Sequence, residues 1–285
     1  MRWSEGSESF GRLARRAALP GILLVALALR LYRLGATNLW WDEALAVWAV
    51  RKGLGGVTLW TASDVHPPLF FWSLWAWVQA FGESEFALRL LPALCGVLTV
   101  AAVYLLGRLV GGELTGLLAS LLTALSRFHV WWSQELRMYV LAGLLGVLSL
   151  YLFLRWLHTM RSDAPEESRR TGNHLLAACS LATLGALYTI YLSGAWVLVE
   201  NLVVLCILLV VKGYRRRELL VRWAASQVAV GAILAVWLWF SWGRMTNWSV
   251  AEPVSPAFVA RLYAILLTSG ASVDIDRYLW TTILP

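Results

Sequence analysis

The sequence predicts an all-α, polytopic integral membrane protein, and three observations lead there. Fifty-nine per cent of the 285 residues are hydrophobic, mean hydropathy is +0.65, and only 14% are charged, against about 25% in a soluble domain. The apolar residues come in long runs, the pattern of successive membrane-crossing helices. Eighteen tryptophans fall largely near the ends of those runs, at the headgroup depth that the indole ring prefers.

The first run lies in GRLARRAALPGILLVALALRLY, residues 11–32. Its basic lead, apolar run and Ala26-x-Ala28 pattern imitate a signal peptide. Because further spans follow, an uncleaved first span over 17–34 is expected, with the amino terminus in the cytoplasm. Six more spans are expected at 86–107, 113–128, 134–157, 174–191, 193–211 and 219–240. Each needs about 20 apolar residues to cross about 30 Å of hydrocarbon. The long polar interruption inside the bundle is HTMRSDAPEESRRTGN, residues 158–173. Residues 1–242 therefore read as a bundle of about seven spans. Residues 243–285 read as an extracytoplasmic tail that would open a further carboxy-terminal part.

The segment PPLFFWSLWAWVQAF, residues 67–81, decides the topology. It is apolar all round, but 15 helical residues reach only about 22 Å. If it stays at the surface, fourteen of the 24 Lys and Arg residues are cytoplasmic, as the positive-inside bias requires. If it crosses, the KGYRRRE cluster at 212–218 moves outside. A juxtamembrane helix on the outer face, within a first outer loop over 35–85, is therefore expected. The neighbourhoods of residues 42, 66 and 135 then share the extracytoplasmic side.

The net charge of +7 is explained by arginines beside membrane spans, which leaves no case for nucleic acid. Cys95, Cys179 and Cys206 sit inside apolar runs, without metal or disulfide spacing.

The polar residues that remain are the candidates for chemistry. In NLWWDEALAV, residues 38–47, Asp42 and Glu43 sit between tryptophans at bilayer level, where dehydrated charge is costly. They also fit a helix start, where acids favour the dipole. In DVHPPLF, residues 64–70, Pro67 and Pro68 suit the first turn of a helix, with Asp64 and His66 at its mouth, and helix N-termini collect phosphate oxygens. In SQELRMY, residues 133–139, Ser133 is expected to cap the next span, with Glu135 in its first turn. Arg137 there opposes the positive-inside bias; it can bind phosphate bidentately or pair with Glu135 or Asp42. Arg89, in EFALRLLP at 85–92, sits at an outer span end, where snorkelling is the plain alternative. Glu200 and Asn201 interrupt a span. NWS, residues 247–249, fits a glycosylation acceptor.

The series W-x-DE in the first outer loop, HPPL, FGESEFALRLLP and SQELRMY resembles the GT-C class of polyprenyl-phosphate-sugar-dependent glycosyltransferases. It is nearest to the protein O-mannosyltransferases and the aminoarabinose transferase of lipid A, over roughly residues 20–160. The resemblance implies inverting transfer of a sugar from a polyprenyl-phosphate donor to a protein, lipid or glycan acceptor on the extracytoplasmic face of a membrane. It places Asp42 at the acceptor with Glu43 in support, and His66 by the lipid phosphate. Glu135 is the nearest match to a second acidic position. Arg137 and Arg89 are further candidates for the donor side.

A carboxylate suits removal of the acceptor's proton, and cations can stabilise a leaving phosphate without an acid. A divalent metal stays open, because some relatives look metal-assisted, but no ligand set in this sequence asserts one. Two other readings stand beside this one. A transporter or flippase would use Glu200 and Asn201 at the midplane, and a catalytically inactive membrane subunit would use none of these residues. Family members are usually longer than this chain.

Overall fold

The structure is a computed structural model that describes residues 3–245, together with 255, 257, 260 and 264. The NWS sequence at 247–249 and most of the expected tail lie outside the described residues. Ten α-helices follow one another: α1 (Trp3–Leu31), α2 (Trp41–Val50), α3 (Gly53–Ser63), α4 (Leu69–Phe81), α5 (Glu85–Leu125), α6 (Arg127–Ser133), α7 (Tyr139–Thr159), α8 (Glu166–Leu187), α9 (Gly194–Leu209) and α10 (Arg216–Ser241). No strand forms among the described residues; Arg161 and Tyr214 make an isolated bridge.

Helices cover most of each expected span, but α8, over the one expected at 174–191, is not among those long and apolar enough to cross. By length and composition α5, α7, α10 and the segment Tyr191–Leu209 can cross a membrane, while Ala17–Leu31 and Leu69–Phe81 are apolar but shorter. At 13 residues, α4 reaches only about 20 Å. Its N-cap is Pro68, so the proline pair does open a helix.

α5 holds two expected spans. They meet at Gly112, whose φ of +84° lies where a side chain is strained. The arms then fold back on each other. A Cβ on Gly107 would stand 3.0 Å from Gly116 Cα, and one on Gly116 would stand 2.7 Å from the Tyr104 carbonyl. Small residues let helix backbones approach this closely. Glu113 closes the turn by accepting from Tyr104 Oη at 2.7 Å and pairing with Arg108 at 3.1 Å.

The chain divides into two compact units. One holds Met1–Asn38 and Ser84–Leu136, and the other holds Leu39–Glu83 and Arg137–Ser249.

In the first unit, Ala26 of α1 packs on Val100 and Ala124 from the two arms of α5. Arg30 is fully buried, and its hydrogen bonds go to a hydroxyl, two carbonyls and an imidazole. Nε donates to Ser133 Oγ at 3.2 Å, Nη1 to the Ala26 carbonyl at 2.9 Å, and Nη2 lies 2.8 Å from His129 Nδ1. Gln134 Nε2 donates to the carbonyls of Leu29, Arg30 and Tyr32, which answers part of the unpaired end of α1. These bonds correct the expectation for Ser133. It closes α6 rather than capping the next helix, and α7 begins only at Tyr139, after Met138, without a side-chain cap. Residues 134–138 stay in turns because the end of α1 already engages Ser133 and Gln134.

In the second unit, α7 and α8 run antiparallel. Ser149 Oγ lies 2.7 Å from Thr183 Oγ1, and a Cβ on Gly185 would stand 3.2 Å from Leu145. Phe153, Trp156, Cys179, Leu219 and Trp223 share one core cluster, with Trp156 and Trp223 stacked at 5.6 Å. Ser149 Oγ donates to Glu200 at 2.6 Å, and Trp223 Nε1 donates to Asn201 at 2.9 Å. Glu200 and Asn201 thus join α9 to α7 and α10 by interhelical hydrogen bonds, a recognised adhesive inside membranes. Leu69 N, at the start of α4, donates to the Tyr188 carbonyl at the end of α8, at 2.9 Å.

Candidate functional site

The second unit gathers two pairs, an aspartate with an arginine and an aspartate with a histidine. The first begins at α2, where Trp40 is extended at the N-cap and Asp42 and Glu43 fall in the first turn. Two neighbouring carboxylates take different places there because successive helical residues face different directions. Glu43 is fully buried, and its Oε2 accepts from the Trp40 N–H at 3.4 Å. Asp42 keeps 32% of its side chain exposed and pairs with Arg137, Oδ2 to Nη1, at 2.9 Å. Of the partners open to Arg137 in the sequence, the structure selects Asp42.

Arg137 is held between aromatic rings. Its guanidinium carbon lies 5.9 Å from the centre of the Trp40 ring and 5.5 Å from that of Tyr139, within the range of cation–π attraction. Nη2 donates to Tyr139 Oη at 3.3 Å. Nε is buried and has no hydrogen-bond partner.

The second pair is Asp64 with His66, where Oδ2 stands 2.8 Å from Nδ1. Residues before proline are held extended, and in an extended chain residues i and i+2 share a side. Burial pushes the Asp64 carboxyl up, but it is outweighed by hydrogen bonds from His66 and the Val65 N–H and by the charges of His66 and Arg137. The net result lies below the ordinary 3.8. An ionised carboxylate only accepts hydrogen bonds, so Nδ1 carries the proton toward Asp64, and the Nε2 edge is the one oriented for a further partner. That Asp64 senses Arg137 links the two pairs electrostatically.

An apolar cavity of about 640 Å³ lies in the same unit. Val65, Tyr191, Leu238, Ser241 and Trp242 line it, and Val65 is the immediate neighbour of both Asp64 and His66. On α2, Trp41 and Trp48 are exposed, and the Lys52 ammonium stands 3.8 Å over the Trp48 ring. Exposed indoles of this kind suit the headgroup zone.

Arg89 and Glu135 belong to the other unit. Arg89 is buried, and its nitrogens donate to the carbonyls of Leu34, Thr37 and Asn38 and to Thr37 Oγ1. This brings the start of α5 beside the end of α1. The geometry favours a loop-holding role for Arg89. Glu135 is half-buried in the turn between α6 and α7.

Asp64, Trp40 and Tyr139 are partners that the sequence did not single out for roles here. So is His129, which burial and the Arg30 charge push down to about 4. Among the described residues no three His, Cys, Asp or Glu side chains converge as a metal set.

A family model for dolichyl-phosphate-mannose-protein mannosyltransferase matches residues 65–242. His66, Arg89, Glu135 and Arg137 lie within the match; Asp42, Glu43 and Asp64 precede it. Among solved structures, the crystal structure of the Archaeoglobus fulgidus oligosaccharyltransferase in the apo form superposes with a TM-score of 0.53 at 15% identity. The match covers 96% of this chain and 39% of that one. At that identity the likeness is one of fold, and this chain spans well under half of that protein's length. No curated protein matches.

Proposed function

Because the chain belongs to the dolichyl-phosphate-mannose-protein mannosyltransferase family, a GT-C class membrane family, we propose that it moves a sugar from a polyprenyl-phosphate donor to an acceptor hydroxyl. The reaction takes place at the extracytoplasmic face and inverts the anomeric centre. The observation that carries this reading is the Asp42–Arg137 pair, with the Asp64–His66 pair coupled to it. It supplies a base and two candidate phosphate partners within one unit.

Asp42 is the carboxylate for the acceptor, because Glu43 is buried and serves the Trp40 N–H. As the acceptor oxygen bonds to the anomeric carbon, its proton passes to Asp42. The bond from that carbon to the phosphate oxygen breaks, and its electron pair leaves with the polyprenyl phosphate. Arg137 meets the developing charge, a stabilisation that a cation already in place supplies without reorganisation, and His66 adds to it in its doubly protonated form, when Nε2 carries a proton to donate. Glu43 supports Asp42 by fixing the first turn of α2. Glu135 and Arg89, the further candidates, belong to the other unit, and the role assigned to Arg89 there is to hold the loop at 34–38.

The apolar cavity beginning at Val65 suits the first isoprene units of the donor. Placement on the extracytoplasmic face rests on the Lys and Arg balance and on α4 being too short to cross.

The test uses membranes carrying the full chain, supplied with a panel of radiolabelled polyprenyl-phosphate sugars. Transfer from one donor, lost in Asp42→Asn, is expected. Absence of transfer from every donor in the panel would overturn the reading.

A further inference from the structure

A general base held in an ion pair poses a difficulty. Asp42 must take a proton, yet its carboxylate is neutralised by Arg137 at 2.9 Å. The position of Arg137 is itself incomplete. Nη1 serves Asp42 and Nη2 serves Tyr139 Oη, but Nε is buried with no hydrogen-bond partner among the described residues. Leaving a buried donor unpaired is costly, so this pose is one that a better acceptor can displace. A phosphate is such an acceptor, because it takes two guanidinium N–H groups side by side where Asp42 takes one here. Trp40 and Tyr139 give the guanidinium aromatic surfaces that attract it without fixing a single hydrogen-bond direction.

We propose that Arg137 is exchanged between Asp42 and the donor: it neutralises Asp42 before the donor binds and turns onto the phosphate when the lipid donor arrives, releasing Asp42 as the base. The proposal rests on the reading of Asp42 as base and of the donor as a lipid phosphate. Donor binding then precedes activation of the acceptor, and a lone acceptor meets a masked carboxylate. Trp40 and Tyr139 are positioning residues in this scheme, since they touch Arg137 and not the reacting atoms.

The exchange has an uncommon consequence: removing the proposed base strengthens the binding of the lipid phosphate. The probe is farnesyl phosphate, titrated against the full chain in lipid nanodiscs, with farnesol as the phosphate-free control. Asp42→Asn and Asp42→Ala should each tighten farnesyl phosphate about fivefold, the scale of a partly exposed ion pair, and leave farnesol unchanged. Arg137→Gln should weaken farnesyl phosphate, and adding Asp42→Asn to it should recover less than about twofold, because no arginine is left to release. Unchanged or weaker binding in both Asp42 variants would overturn the exchange. Equal tightening with and without Arg137 would also overturn it, by assigning the effect to charge repulsion alone. Failure of the wild-type chain to bind farnesyl phosphate would instead remove the lipid-phosphate donor, and the exchange with it.

Discussion

Asp42→Asn separates catalysis from folding because the two effects differ in size. The side chain is partly exposed and pairs with Arg137 at 2.9 Å. Loss of a partly exposed ion pair costs about 1 kcal/mol or less. Loss of charge from the first turn of α2 adds roughly 0.3–1 kcal/mol through the helix dipole. Asparagine retains the shape and one carboxyl-like oxygen, so the chain should fold and insert. Removal of a general base costs about 10²-fold or more in rate, which is at least about 2.7 kcal/mol in the transition state. The variant should therefore be inserted at wild-type levels, unfold within a few degrees of wild type, and transfer sugar at least about a hundredfold more slowly. The apparent KM for the donor should not rise. The assay combines initial rates at saturating labelled donor with thermal unfolding of the same preparation. Wild-type rates in a folded Asp42→Asn protein would refute the base assignment, and the acidic pair would then be a helix start and no more.

Four further outcomes follow from the structure. Glu43→Gln keeps an acceptor for the Trp40 N–H and should slow transfer less than Asp42→Asn does, whereas Glu43→Ala loses that bond and should lower stability by about 1 kcal/mol in thermal unfolding. His129 is held down to about 4 from 6.5. The unfolded chain therefore takes up a proton there first, stability falls as pH drops from about 6.5 to about 4, and His129→Gln should flatten that part of a Tm-versus-pH curve. A Cβ at Gly96 would collide with Ser133 and with Arg30 Nε, so Gly96→Ala should destabilise the chain by about 1–3 kcal/mol in denaturant unfolding. With the native cysteines replaced, cysteines at 59, which is exposed, and 131 should react with an impermeant reagent from outside and those at 166 and 215 only after permeabilisation; labelling of 131 from the cytoplasmic side would end the shared-face site.

The helices were legible in the sequence because hydrocarbon imposes a simple rule: a long apolar run must satisfy its backbone internally, and a helix does so. Hydropathy alone therefore located the runs of α1, α5, α7, α8, α9 and α10. The 133–138 segment was misjudged because an apolar run reads the same whether it starts at Gln134 or Tyr139. What delays α7 is hydrogen bonding of Ser133 and Gln134 to the end of α1, about a hundred residues away. The Asp64–His66 bond could have been found, since Asp-x-His before two prolines places both side chains on one side of an extended strand. Arg137 marked itself by its charge at an outer span end, but its choice between Glu135 and Asp42 depended on where α2 lies, which no local pattern encodes.

Glu200 shows the opposite case. Alone in the sequence, an intramembrane acid reads as a transport site. In the fold its Oε1 meets Ser149, and the adjacent Asn201 takes the indole N–H of Trp223. These bonds make the bundle interior a set of helix-to-helix ties. The Asp42–Arg137 and Asp64–His66 pairs lie instead in the unit of α2 and α7, and Trp41 and Trp48 on α2 are exposed, as suits a headgroup zone. A carrier needs its polar groups at the depth the cargo must cross. A transferase that takes its donor from lipid needs them where a phosphate headgroup rests, and that is the requirement the proposed roles of Asp42, His66 and Arg137 answer.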